Sequence, residues 1–311
     1  MRARLSPRHV AFFAFWLATA SPVPAETNAR AAFDAVLRSH GYRHVPLEAS
    51  NSRLLLRVRI NGRPAALVID TGAPFTTLDR KTVASWRLAE APTGMSLNGA
   101  IGQSKEQIGL SQLMTIEVAN IILSKDSVTV VDLSGMNRSA RVPAAGVFGL
   151  SQLRKLGAII DCAQPALYLN PHSTNERSGS ELAKFLKARN SVGVPIRVNK
   201  RDLPVVSGQI NGVRLDLVVE TAAFTTILSQ TIARQASIRL TATGLNGVGA
   251  GGLSAPISTG VGNDFAVGAF HTREQKLSAA NLSFNVLGLD YLRARKAVID
   301  CGALTLFLRL A

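Results

Sequence analysis

Leu67-Val68-Ile69-Asp70-Thr71 returns as Leu217-Val218-Val219-Glu220-Thr221, 150 residues further along the chain. Each copy follows the same tripeptide, Ile60-Asn61-Gly62 in the first and Ile210-Asn211-Gly212 in the second. The offset also relates Ala73 to Ala223, Thr76 to Thr226 and Leu78 to Leu228. A one-residue deletion would instead place Phe75-Thr76-Thr77 over Phe224-Thr225-Thr226, and the residues leave both registers open. The ends of the copies match too. Val147-Phe148-Gly149-Leu150 leads to Ile159-Ile160-Asp161-Cys162, and Val286-Leu287-Gly288-Leu289 leads to Val298-Ile299-Asp300-Cys301. Matches in the same order at near-constant spacing mark a duplication. The period is far longer than a solenoid unit, so each copy is expected to be a domain.

Within each copy the pattern is that of short strands. Leu54 to Ile60 ends in apolar-polar alternation, and Asn61-Gly62 before Ala66-Leu67-Val68-Ile69 is a hairpin signal. Val205 to Ile210, Asn211-Gly212 and Leu215 to Val219 repeat it. One short helix is expected after each late glycine, at Ser151 to Leu156 and at Asp290 to Arg295. The fold class is therefore all-β, with a first lobe at residues 50–172, a polar linker at 173–190 and a second lobe at 191–311. Glu181 to Arg189 is expected to form a short helix in the linker. Residues 28–39 read as a helix within an N-terminal segment, 26–49, that lies outside the repeat.

Asp70-Thr71-Gly72-Ala73 is the strongest chemical signal. An apolar strand delivers a carboxylate straight into a turn, Gly72 permits close approach of neighbouring groups, and Thr71 can hydrogen-bond across to a partner loop. Burial and a nearby like charge both raise a carboxyl pKa. Two carboxyls sharing one proton can hold and activate a water. With Thr76 and Leu78 beyond it, and with the two late glycines, this stretch resembles the active-site loop of the retropepsin and pepsin group of aspartic proteases. The resemblance covers residues 50–311 as two copies, so the chain resembles a fused, single-chain retropepsin.

That resemblance implies a bilobal acid-protease fold made of two tandem retropepsin-like β-barrel domains. It implies a catalytic pair of Asp70 and Glu220, no metal and no organic cofactor. Substrate would be bound by Thr71, Gly72 and Ala73 of the first loop and by Thr221, Ala222 and Ala223 of the second. Gly99, Ile101 and Gly102 would belong to one glycine-rich flap, and Gly247 and Gly249 to the other. The flaps would close over an extended peptide or protein substrate and pair with its backbone.

The second motif departs from the family, because Glu220-Thr221-Ala222 stands where a second Asp-Thr-Gly would. Glu220 adds a methylene, and Ala222 adds a methyl where backbone must come close and penalises any positive φ. Two functions stay open. One is an aspartic-type endopeptidase in which Asp70 draws a proton from water and protonated Glu220 polarises the scissile carbonyl. The other is a catalytically inactive pseudoprotease that binds extended peptides in the same cleft. A monomer with pseudo-twofold symmetry is expected, the alternative being two chains that bring two copies of Asp70 together. A pair with one shared proton is expected to work on the acid side of neutrality.

Other candidates carry less. Gly247-Val248-Gly249-Ala250-Gly251-Gly252 fits G-x-G-x-x-G, but Pro256 follows too soon for a helix to open there, so a dinucleotide reading fails its context. Asp161 and Asp300 form a second repeated pair, but Cys follows each, and a strand-end structural role is expected. The five histidines show no metal-ligand spacing.

Residues 1–25 carry Arg2, Arg4 and Arg8, an apolar run from Val10 to Ala20, and small residues before a cut after Ala25. This is the pattern of a secretory leader, so the chain is expected to be exported, periplasmic or secreted, with no membrane span left after cleavage. The 47% hydrophobic content supports packed cores, and with only 5% aromatics those cores must be aliphatic. The net charge of +15 is scattered and not interleaved with aromatics, so nucleic acid is not an expected partner. Cys162 and Cys301 occupy matching repeat positions and are expected to be free, buried thiols.

Overall fold

The computed structural model describes residues 24–50, 53–138, 142–172 and 175–310. The expected leader, residues 1–25, lies almost wholly outside them. Each copy of the repeat is an eight-stranded sheet. In the first lobe the strand order is Glu48–Ser50, Arg53–Ile60, Arg63–Ile69, Gly146–Phe148, Thr77–Asp79, Ile121–Val131, Gly102–Val118, Ala91–Gly99. In the second it is Arg197–Val198, Pro204–Ile210, Val213–Val219, Asn285–Leu287, Ile227–Ser229, Phe270–Ala280, Ser254–Val267, Thr241–Val248. The orders correspond strand for strand. Each sheet curls until a near-edge strand meets the long strand, pairing Arg59 with Glu117 in one lobe and Ile210 with Phe265 in the other. The lobes are thus barrel-like, and the architecture is the expected all-β, bilobal one.

Local sequence explains the hairpins. Asn61 and Gly62 have φ of 48° and 77°, and Asn211 and Gly212 have 47° and 84°. A two-residue turn with both φ positive matches strand twist, and Asn-Gly tolerates it best. Before the turn, Leu54, Leu56, Val58 and Ile60 point into the core while Arg57 and Arg59 face water. The expected short helices form at Leu150–Lys155 and Leu289–Ala294.

A third sheet joins the lobes. Its order is Arg43–Pro46, Ala166–Leu169, Ile159–Asp161, Val298–Asp300, Thr305–Arg309, Ser191–Pro195. At its centre Ile160 pairs with Ile299 across the pseudo-twofold axis. The N-terminal segment is more than helical. Its helix, Pro24–Ser39, is followed by one strand in this shared sheet and another, Glu48–Ser50, in the first lobe. The linker carries a longer helix than expected, Asn175–Lys187. Phe33 and Leu37 of the first helix pack with Leu182 and Leu186 of the second against Ile159, Tyr168 and Val298 of the shared sheet. Among the described residues no helix is long and apolar enough to cross a membrane.

Candidate active site

The Asp70 and Glu220 loops leave their strands at corresponding points. Asp70 N–H donates to Phe148 O and Glu220 N–H to Leu287 O, both at 3.1 Å. Leu150 N–H meets Ala73 O as Leu289 N–H meets Ala223 O, and Ser151 N–H meets Pro74 O as Asp290 N–H meets Phe224 O. Gly149 N–H donates to Thr76 Oγ1, and Gly288 N–H to Thr226 Oγ1. The 150-residue offset therefore runs through the loops without a gap. The late glycines now have a reason. A Cβ at Gly149 would fall 2.3 Å from Phe75 C, and one at Gly288 would fall 2.4 Å from Thr225 C. Only glycine lets the late strand press against the catalytic loop this closely.

The threonines hold the loops together. Thr71 Oγ1 donates to Val219 O at 2.6 Å, and Thr221 Oγ1 donates to Ile69 O at 2.8 Å. Each hydroxyl also accepts the other residue's N–H, at 3.1 and 3.2 Å. Both residues are buried, at 1% and 0% exposure. The bond expected from Thr71 across to the partner loop is thus present and is returned by Thr221. Both hydroxyls are engaged between the lobes, where they brace the loops that carry the two carboxyls.

The two carboxyls stand in unequal surroundings. Asp70 Oδ1 accepts N–H groups of Gly72 at 2.9 Å and Ala73 at 3.1 Å. Burial pushes the Asp70 pKa up to about 6, and those two donors hold it from rising further. Burial, then the neighbouring Asp70 charge, pushes Glu220 up to about 8. Both carboxyls are thus raised, and the two backbone donors on Asp70 favour charge on that side of the pair.

The Glu220-Thr221-Ala222 departure is accommodated sterically. A Cβ at Gly72 would lie 2.6 Å from Glu220 Cγ, so the longer acid occupies space that only glycine leaves open. Neither Gly72 nor Ala222 has a positive φ, so the backbone penalty expected at Ala222 does not arise. The Ala222 methyl packs, with Ala73, against an apolar cluster of the first lobe that includes Leu55, Val68 and Val147.

Both flaps are present. The first turns at Gly99–Gly102, and the second carries a short 3-10 turn at Ala250–Gly252. They touch: Ser104 Oγ donates to Gly251 O at 3.3 Å, and Ile101 lies against Gly249. Each tip also reaches the opposite lobe. Ser283 N–H donates to Ala100 O at 2.8 Å, and Val248 lies against Gly135. Of the expected flap residues, Gly99, Ile101, Gly102 and Gly249 belong to the tips. Gly247 sits one step down, paired with Ala255. The glycine-rich stretch thus runs from strand into flap tip and opens no dinucleotide-binding helix.

Ser104 and Ser283 carry no sequence signal. The flap bases do. Thr93-Gly94-Met95 and Thr243-Gly244-Leu245 share the 150-residue offset, and in each the Thr hydroxyl accepts the N–H two residues on, at 3.1 Å. Asp161 and Asp300 are structural, accepting backbone N–H groups of Ala163 and Ala303. Cys162 and Cys301 are free and buried, and burial raises both thiols, which makes them poor nucleophiles. Among the described residues no group of His, Cys, Asp and Glu is placed to hold a metal ion.

Among solved structures, the chain is similar to the aspartic proteinase from Irpex lacteus, with 12% identity over 87% of this chain and 97% of that one and a TM-score of 0.47. It is also similar to a retropepsin-like aspartic protease from Rickettsia conorii, with 18% identity over 38% of this chain and 98% of that one and a TM-score of 0.31. EIAV protease complexed with the inhibitor HBY-793 matches with 20% identity over 32% of this chain and 92% of that one, at a TM-score of 0.28. No curated protein matches the sequence. The profile of the gag-polyprotein putative aspartyl protease family matches twice, at residues 56–155 and 206–294. With one match in each lobe and most of the chain covered, the protein belongs to that aspartyl protease family.

Proposed function

We propose that the protein is an aspartic-type endopeptidase whose dyad is asymmetric by construction. The observation that carries this is the unequal setting of two neighbouring, half-buried carboxyls at the meeting of the lobes. Two backbone donors favour charge on Asp70, and Glu220 has the higher pKa, raised by burial and by that charge. Asp70 acts as the general base that takes a proton from water. Glu220 carries its proton toward the carbonyl oxygen of the scissile bond and stabilises charge developing there. The attacking water forms the new C–O bond, the C–N bond breaks, and the leaving amine receives the proton Asp70 has taken. The substrate is an extended peptide or protein segment covered by the two flaps.

The proton arrangement sets the pH window. Activity needs Asp70 ionised and Glu220 protonated, so it rises through about 6 and falls through about 8. That is closer to neutrality than the acid optimum expected from sequence, because burial raises both groups. Cleavage of a quenched-fluorescent peptide pool between pH 4 and pH 9 tests this. Wild type is expected to give a bell and Glu220→Gln a profile without its alkaline limb. An unchanged alkaline limb in Glu220→Gln would remove that residue from the mechanism. Peptide binding without cleavage at any pH would establish the pseudoprotease instead.

The protein is also proposed to work as a monomer outside the cytoplasm, as the N-terminal leader pattern and the two complementary loops within one chain suggest. Light-scattering mass and N-terminal sequencing of the native protein check these points. A dimer mass, or a chain that retains Met1 in the cytoplasm, would contradict them.

A further inference from the structure

We propose that Gly72 is a positioning residue matched to Glu220: the side chain that Gly72 lacks is the space that fixes where the longer acid sits. The inference rests on the peptidase reading above and adds a geometric condition to it. A Cβ on Gly72 would lie 2.6 Å from Glu220 Cγ, 2.9 Å from Cδ and 3.1 Å from Oε2. The first two are approaches that real Cβ atoms essentially never make, and the third is tighter than most. Cγ is the second side-chain carbon of Glu220, so it can retreat only by turning about χ1, and that turn carries the carboxyl away from Asp70. Backbone conformation does not require glycine here, since the Gly72 φ lies outside the left-handed region. Space is what remains.

The repeat supplies the other half. The 150-residue offset relates Gly72 to Ala222 and Glu220 to Asp70. The twofold counterpart of the Gly72–Glu220 pair is therefore Ala222 with Asp70, a residue bearing a methyl matched to an acid one methylene shorter. The longer acid faces the residue without a side chain, and the shorter acid faces the residue with one. Glu220 and Ala222 thus depart from Asp-Thr-Gly in complementary directions across the two sides of the dyad. An aspartate at 220 keeps its Cγ, so on this account it tolerates an alanine at 72 by taking the χ1 of its counterpart Asp70, with a carboxyl carried one methylene closer to its own backbone.

A double-mutant cycle tests it with four proteins: wild type, Gly72→Ala, Glu220→Asp and the double variant. Each is read by peptide cleavage across pH and by thermal melting. Gly72→Ala is expected to lose about a hundredfold in kcat/KM, the scale of a 1 Å misplacement, and to shift the alkaline limb of its pH profile. Adding Glu220→Asp to that background is expected to return about tenfold of the loss, to bring the limb back, and to restore the melting temperature, a non-additivity proper to touching groups. Should Gly72→Ala fail to fold, folding of the double variant supports the matched pair, and its failure to fold overturns it. Wild-type behaviour of Gly72→Ala, or losses that simply multiply, would also overturn it. If wild type cleaves no peptide, the peptidase reading fails alone. The melting cycle then still decides the pair, with restoration in the double variant supporting it and additivity overturning it.

Discussion

The two lobes share one topology and one brace, yet they present different acids. Thr71 and Thr221 make reciprocal bonds, and Gly149 and Gly288 admit their catalytic loops in the same way. Against that common frame, Asp70 receives two backbone N–H groups, while Glu220 occupies the space above Gly72. The duplicated design is thus rigid in its backbone and free in its acids. Residues that close the backbone geometry stay paired across the axis. The two acids differ between the lobes, and so do Gly72 and Ala222 beside them.

Variants of the shared frame should cost the most, and cost both lobes alike. Gly149→Ala and Gly288→Ala each force a methyl into backbone and are expected to destabilise by about 3 kcal/mol or more, read by chemical denaturation. A large difference between the two would break the equivalence of the lobes. Thr71→Val and Thr221→Val each leave a buried carbonyl and a buried N–H without a partner. About 2 kcal/mol is expected from either, with equal effects again sharpening the comparison.

The acids should break the symmetry instead. Glu220 holds its proton up to about 8 in the folded protein, above the usual carboxyl value of 4.5. As pH rises through that window the unfolded chain loses its proton first, so this group's contribution to stability falls. Glu220→Gln escapes the loss. Its stability relative to wild type is expected to grow between pH 4.5 and pH 8 by about 1–2 kcal/mol, less than the whole shift because the group is partly open to solvent. Melting curves at the two pH values check this, and a constant difference would contradict the raised pKa. The smallest effect is expected from restoring symmetry. Glu220→Asp with Ala222→Gly should keep activity within about tenfold and move the alkaline limb toward acid, since the new carboxylate gains the backbone donors that Asp70 has. An unmoved limb would show that those donors do not set the difference.

Much of this frame was legible in the chain. The 150-residue offset and the two Asn-Gly turns placed the hairpins, because a turn with positive φ restricts residue choice. Asp70 stood out because a polar group rarely ends a buried strand without a task. What escaped was set by three-dimensional meeting rather than local pattern. Gly72 reads as a glycine that permits close approach, but which group approaches it, Glu220 of the other lobe, is not encoded locally. Thr71 reads as able to bond across to a partner loop, but that Thr221 returns the bond shows only in three dimensions. Ser283 reaches the first flap tip from a loop far away in sequence, which no local spacing encodes. In the N-terminal segment, strand Arg43–Pro46 leaves no local mark because its partner, Ala166–Leu169, lies more than a hundred residues away in the shared sheet.

The central claim is that Asp70 is the base of a working dyad, and cleavage of a diverse peptide library by wild type and Asp70→Asn tests it most directly. Asp70→Asn preserves size and removes the ionisable group, so its melting temperature should stay near or above that of wild type. Wild type is expected to cleave with a maximum between about pH 6 and about pH 8, and Asp70→Asn to fall by about a thousandfold or more at every pH. Equal cleavage by the two folded proteins would contradict the account.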